Sequence, residues 1–355
     1  MDETRKVVEA LMKVGPRFTD ISRATGIPIS TVRYILLKRL PKLGLSVRAH
    51  INYGALGLQR YLVEFGSKYP PYYISRLLDL MGETMYLDYY TYSMTGRKFF
   101  TVFAIPPKYE KSFLEFLRAM ELFGVIENIS IRKLVYMRLL PFMADLFDFS
   151  KGVWAQDWMF SQVCRDVPEV FEYSNNHPTI HEIDLMMLAE LQKQVIPLRY
   201  SYFARKYGLS RQTVSKHYKH IRGLVNLFTI IWVPFNNPEL VITPLLVKTS
   251  YKPEVRKKII SIPFTYAEMR SDDDCYLAML LIPSIGFYST IKFLAGSIEL
   301  DELNFQDMEH SGKFSIPYQL FKNNSWINPF DEGIQRLLET VQKKEYGRNG
   351  PPHNF

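Results

Sequence analysis

Residues 203–222 read FARKYGLSRQTVSKHYKHIR, and the rest of the chain is organised around this stretch. The pattern predicts a helix, a tight turn and a second helix. Ala204 is small enough to let two helices approach. Gly208 accepts a left-handed turn, and Ser210 stands where a helix N-cap belongs. Val214, Tyr218 and Ile221 then form an apolar stripe at helical spacing. His217 shares that side and reads as a packed histidine. The opposite face carries Arg211, Gln212, Thr213, Ser215, Lys216 and Lys219. From Val195 to Arg222 there are seven Lys/Arg and no Asp or Glu, the footprint expected of a helix meant for the DNA major groove.

A second copy lies nearer the start. Gly26 precedes Val32 by six residues, as Gly208 precedes Val214, and the offset between copies is 182 at the turn. In the preceding helix Val7 and Val14 match Leu188 and Val195 at an offset of 181. Ser22 takes the place of Ala204, and Thr31 matches Thr213. Apolar spacing predicts helices over Glu3–Val14, Thr19–Thr25 and Pro28–Leu40, with Val7, Val8, Leu11, Ile21, Val32, Ile35 and Leu36 inward. Ser30, Thr31, Arg33, Tyr34 and Lys38 point out. Residues 1–50 hold ten Lys/Arg against four Asp/Glu. A long-range repeat of this kind implies duplication.

Each copy is followed by the same order of elements. In the first half, strands are expected at 45–51, 57–65, 85–92, 98–105, 125–131 and 134–139, with helices at 70–81 and 107–123. In the second, strands are expected at 227–233, 241–249, 264–270, 276–282 and 298–308, with helices at 253–260 and 283–295. After each helix-turn-helix the order is β-α-β-β-α-β, a ferredoxin-like unit. The exits agree too: Pro141-Phe142, Leu146-Phe147 and Trp154 recur as Pro317-Tyr318, Leu320-Phe321 and Trp326. The predicted class is therefore α+β: two winged helix-turn-helix domains, each followed by a ferredoxin-like (βαββαβ) domain. The boundaries are 1–51 and 52–140 for the first pair, 184–233 and 234–320 for the second. An acidic connector spans 141–183, and 321–355 forms an extension with a disordered tail.

This layout resembles the Lrp/AsnC (leucine-responsive, feast/famine) regulators. Ala49–Phe65, AHINYGALGLQRYLVEF, is similar to that family's hinge, and Thr95-Gly96 to its Thr-Gly between the middle strands. The resemblance covers nearly the whole chain, twice over, and implies two protomers fused into one pseudo-dimer. The loop after Thr95-Gly96 departs from the family: Arg97, Lys98 and Phe99 stand where an acidic residue is usual. The second copy has Asp272–Asp274 and no Thr-Gly. A small-molecule effector is thus left open.

Composition bounds the rest. The 355 residues are 47% hydrophobic, enough for real cores, and carry a net charge of +8, which suits a polyanionic partner. Two distant cysteines, Cys164 and Cys275, give neither a zinc spacing nor a disulfide framework and fit a reducing cytoplasm. No apolar run approaches the roughly 20 residues of a membrane span. His177 and His181 are four apart, but Pro178 intervenes and no third ligand is evident. Asp272–Asp274 read as a hairpin turn. The Tyr86–Tyr92 aromatics read as sheet core. No phosphate-cradling loop and no Ser-His-Asp or Cys-His arrangement stands out, so no enzyme, cofactor or metal is expected.

The expected function is a sequence-specific, double-stranded-DNA-binding transcription regulator, nucleoid-associated in the cytoplasm, as a monomer with pseudo-two-fold symmetry or a homodimer. Base contacts fall to Arg211, Gln212, Ser215 and Lys216 in the second head and to their first-copy equivalents Ile29, Ser30, Thr31, Arg33 and Tyr34, with Ser210 and Thr213 also counted as DNA-binding. Lys38, Arg39, Lys42, Arg48, Lys219 and Arg222 would hold phosphates. The alternatives are a duplicated winged-helix protein at replication origins and a winged-helix scaffold for protein contacts.

Overall fold

Apolar stripes decide the first helices. Helices α1 (Glu3–Val14), α2 (Phe18–Thr25) and α3 (Ile29–Tyr34) bury Val7, Val8, Leu11, Ile21 and Val32 together. Gly26 closes α2 at φ +72°, a conformation that side chains with a Cβ resist. The third helix does not run regularly to residue 40. It widens into a π-helical turn over Ile35–Arg39 and ends in α4 (Leu40–Lys42). Pro41 explains this, because it has no N–H to give Leu37 and its ring crowds that carbonyl.

The structure is a computed structural model and describes residues 2–161, 163, 165, 167–169, 172, 179–193, 200–234 and 241–335. His177, Val195 and the tail expected to be disordered lie outside the described residues.

Strands β1 (Leu45–Ile51), β2 (Gln59–Gly66), β3 (Leu87–Ser93), β4 (Lys98–Ile105) and β5 (Glu127–Leu139) follow, with α5 (Pro71–Thr84) and α6 (Glu110–Leu122) interposed. The connector contains a small hairpin, β6 (Phe147–Asp148) with β7 (Val153–Trp154). The second half then supplies α7 (Glu182–Lys193), α8 (Tyr200–Tyr207) and α9 (Arg211–Arg222). Gly208 turns at φ +64°, and Ser210 Oγ accepts from the Thr213 N–H at 3.0 Å. Strands β8 (Val225–Trp232), β9 (Ile242–Ser250), β10 (Thr265–Ser271), β11 (Cys275–Pro283) and β12 (Glu302–Lys313) come next, with α10 (Pro253–Ser261) and α11 (Phe287–Ser297) between them. A final hairpin, β13 (Phe321–Lys322) with β14 (Ser325–Trp326), pairs Phe321 with Trp326 as Phe147 pairs with Trp154.

The expected class needs correction here. The strands do not form two separate ferredoxin-like sheets packed as a pseudo-dimer, each behind its own winged helix-turn-helix domain. Eight strands close into one antiparallel barrel in the order β10-β11-β9-β12-β3-β4-β2-β5. The cause is the length of β5 and β12. Glu127–Lys133 of β5 pairs with β2, and Leu134–Leu139 runs on to pair with β10 of the other half. Likewise Glu302–Phe305 of β12 pairs with β9, and Gln306–Lys313 runs on to β3. Each half thus caps the open edge of the other, and closure removes the edges. The strand expected to break before Leu134 is a single strand with a register shift near Val135.

Neither does each helical unit keep its own wing. β1 pairs antiparallel with β8, from Leu45↔Trp232 to Ile51↔Val225, so one shared two-stranded ribbon links the halves. The barrel interior holds Leu62, Phe100, Val102, Leu134, Met137, Leu246 and Leu277, while Val63, Phe103 and Tyr276 pack with the helices outside.

Candidate active site

Charged residues inside apolar strands mark the site. On β10, Ala267 and Met269 face the barrel interior and Glu268 between them faces outward. Arg138 on β5 is its direct cross-strand partner. Glu268 is fully buried and accepts from Arg138 Nε at 2.7 Å, Arg256 Nε at 2.9 Å, Arg256 Nη2 at 2.8 Å and Tyr276 Oη at 2.7 Å. Burial works against its charge, but Arg256 and Arg138 outweigh burial and hold the carboxyl below the usual carboxylate range.

Beside this cluster lies a cavity of 260 Å³ lined by His50, Tyr136, Arg138, Leu139, Pro141, Val167, Pro168, Glu172, Asn226 and Leu227. The β1–β8 ribbon supplies one wall, β5 another and the connector a third. Glu172 pairs with Arg60, whose guanidinium stacks 3.8 Å from the Tyr53 ring centre. Asp88 completes this group. It lies 3.4 Å from Arg60 Nε and accepts from Tyr53 Oη at 2.9 Å and Lys313 Nζ at 3.3 Å. His50 Nε2 is 3.9 Å from the Glu172 carboxylate. Burial, then the charges of Arg60, Lys313 and Arg138, press the His50 pKa well down, so its imidazole is neutral. Burial pushes the Glu172 carboxyl up. The cavity therefore offers cationic and phenolic donors, a neutral imidazole and a carboxyl that retains a proton more readily than an exposed one.

A further ionic group sits at one mouth of the barrel. Glu64 contacts Arg132 at 2.7 Å, Lys98 at 2.7 Å and Lys248 at 2.8 Å. Glu302 contacts Lys98 at 2.8 Å and Lys248 at 3.0 Å, and Asp273 contacts Arg132 at 3.0 Å. Cys275 opens β11 beside it. Burial raises the Cys275 thiol to about 11, which makes it a poor nucleophile. Asp272–Asp274 form the β10–β11 turn, as the sequence suggested.

None of the residues expected to touch DNA lines this cavity. Ser30, Arg33, Tyr34, Lys38, Lys42, Ser210, Arg211, Gln212, Lys216, Lys219 and Arg222 are exposed on the helical units. Thr31, Arg39, Thr213 and Ser215 are half-buried there, and Arg48 is half-buried on β1, where burial lowers its pKa. His217 is packed as expected. Its Nδ1 and that of His220 lie 2.8 and 2.9 Å from the buried Asp184 carboxylate. His181 sets its ring against His217. Among the described residues no group of three or more His, Cys, Asp or Glu is placed to hold a metal ion. No described helix is long and apolar enough to cross a membrane.

The sequence reading missed His50, Arg60, Asp88, Tyr136, Arg138, Glu172, Arg256 and Glu268. A signal was present in Asp88 and Arg138: each is a single charge in an apolar stretch of strand, and such charges are rarely buried without a partner.

Two helical units joined by a ribbon over one barrel of eight strands define the architectural class. No protein-family model and no curated protein matches the chain. Solved structures do. The crystal structure of the siroheme decarboxylase NirDL matches with a TM-score of 0.55 at 12% identity, covering 96% of this chain and 100% of that one. The same enzyme in co-complex with an iron-uroporphyrin III analogue matches at 0.54 and 13%, with the same coverage. These likenesses span both helical units and the barrel. They overturn the assignment to Lrp/AsnC regulators, the role in transcription, the double-stranded DNA partner and the exclusion of an enzyme. A helix-turn-helix pattern with a basic face is a local feature, and here it belongs to a whole-chain fold shared with a decarboxylase.

Proposed function

We propose that this chain is an enzyme acting on a carboxylate-bearing tetrapyrrole, and that the reaction is decarboxylation. The observation that carries the reading is the likeness of fold to siroheme decarboxylase over 96% of the chain. The cavity supports it, because its donors suit a carboxylate. Its 260 Å³ falls below the roughly 300–1,000 Å³ of sites that enclose a drug-sized ligand. The macrocycle therefore enters by one carboxylate-bearing edge, beside the exposed Asn226. In the reaction the bond from the side chain to its carboxylate breaks, carbon dioxide leaves, and the electron pair stays on carbon and takes up a proton. Glu172 and His50 are the groups that hold and pass that proton. The enzyme works in the cytoplasm, in keeping with its sparse cysteines.

The test is direct. Purified protein is titrated into siroheme and into iron-uroporphyrin III, the visible absorption is followed, and the products are weighed by mass spectrometry. A band shift that saturates, with a product lighter by carbon dioxide, is expected. Pigment spectra indifferent to protein at every concentration would end the reading.

A further inference from the structure

Arg138 and Tyr136 stand two apart on β5 and share one face of the strand, with the guanidinium carbon 4.9 Å from the ring centre. Both line the cavity and both are more than nine-tenths buried. Arg138 spends Nε on Glu268 and Nη1 on the Pro168 carbonyl. Its Nη2 has no hydrogen-bond partner among the described residues, and neither has Tyr136 Oη. Burial pushes the Tyr136 phenol up, so it stays protonated and able to donate. Two buried donors without acceptors are costly unless something arrives to accept from them.

Charge points the same way. Arg138 and Arg256 share the single carboxylate of Glu268, so two cations meet one anion. At the barrel mouth Lys98, Lys248 and Arg132 meet Glu64, Glu302 and Asp273, three against three. Around Asp88, Arg60 and Lys313 meet two carboxyl groups, those of Asp88 and Glu172. Among these three clusters the one around Glu268 has more cations than carboxyl groups, and the buried Arg165 feels the same carboxylate, so an added anion would meet unbalanced positive charge.

We propose that Arg138 Nη2 and Tyr136 Oη form a carboxylate-binding subsite, with Glu268 the positioning residue that aims the guanidinium into the cavity. The nature of the carboxylate's carrier rests on the tetrapyrrole reading; the anion site itself does not. One oxygen accepts from the arginine and the other from the phenol, a charge-assisted pair of short reach.

The test uses the whole chain with Tyr136→Phe and Arg138→Lys. Binding of iron-uroporphyrin III should weaken about tenfold or more in each, the size of one lost charge-assisted contact. Tyr136→Phe should unfold at the same temperature as wild type or higher, because it deletes a hydroxyl that bonds nothing among the described residues. A hydroxyl with a merely structural role would give a lower temperature, and that result would overturn the proposal. So would wild-type affinity in both variants. Sodium propionate, with sodium chloride at equal ionic strength as control, separates this idea from the tetrapyrrole reading. If wild type ignores iron-uroporphyrin III but is stabilised by propionate and Tyr136→Phe is not, the subsite stands and the reading of the carrier falls. If propionate also does nothing, the subsite falls with it.

Discussion

Glu268 and Glu64 are both buried carboxylates in antiparallel barrel strands, both ringed by cations, yet they stand in opposite surroundings. Glu64 shares the interior face of β2 with Leu62, and its network at the barrel mouth balances in charge. It plugs an opening and leaves nothing over. Glu268 faces outward between β10 and α10, and its cluster has more cations than carboxyl groups and a cavity at its side. The contrast teaches how to separate structural from functional charge in such a barrel. Networks that close on themselves hold the fold, and the incomplete one is where a ligand enters.

The largest effect should come from removing the carboxylate that both arginines depend on. Glu268→Gln leaves Arg138 and Arg256 buried without an anion and should cost about 3–5 kcal/mol, the range for breaking a buried ion pair from one side. Glu64→Gln should cost less, about 1–3 kcal/mol, because Glu302 and Asp273 remain to serve Lys98, Lys248 and Arg132, and these side chains are partly solvated. Urea unfolding of both variants checks the order. Equal costs would erase the distinction between the two networks.

Much of this was legible in the residues, and what was not has identifiable causes. The turns were readable because Gly26, Gly208 and Ser210 act locally. The recurrence of elements was readable because it repeats at a fixed offset. Closure was not, since it depends on how far β5 and β12 overrun their own sheets. There the sequence misleads: Arg132-Lys133 interrupts the alternation and suggests a break between two strands, whereas Arg132 bonds Glu64 and Asp273 at the barrel mouth. The cluster at Glu268 was hidden by distance. Arg138 lies 130 residues from it in sequence, and nothing local announces which buried charge meets which. His50 sat inside the stretch AHINYG, where the resemblance to a hinge gave it no chemical role. The basic faces of α3 and α9 drew attention because surface charge is conspicuous in a sequence, although exposed charge says little about where chemistry happens.

Acid should act on the two networks through their carboxylates, and the mouth gives the sharper prediction. Burial opposes the charge of Glu302, but Lys98 and Lys248 outweigh it and lower its carboxyl from 4.5 to about 2. A pKa lower in the folded chain than in the unfolded one means stability that is complete above the unfolded value and lost as protons bind to the native state. Stability from this group is therefore present above pH 4.5 and falls away as pH drops toward about 2. Urea midpoints across that window should slope downward in wild type and slope less in Glu302→Gln. An unchanged slope would mean that the mouth network is not held by this carboxylate.

The smallest effect should come from the residues that the sequence made most prominent. Arg211 and Lys216 are exposed on α9, while the same helix turns Val214, Tyr218 and Ile221 into the core. Arg211→Ala with Lys216→Ala should change stability by no more than about 0.5 kcal/mol, as surface substitutions do, and under the proposed function should leave tetrapyrrole binding unaltered. Asp184→Asn, by contrast, strikes the same unit from within. That carboxylate is fully buried and meets His217 and His220, so its loss should cost more than the double surface change. Measured side by side, the pair asks whether this helical unit acts through its face or its interior. Tetrapyrrole binding that collapsed in the Arg211/Lys216 variant would move the ligand from the cavity to the surface of α9, and would return the basic helix to the centre of the chemistry.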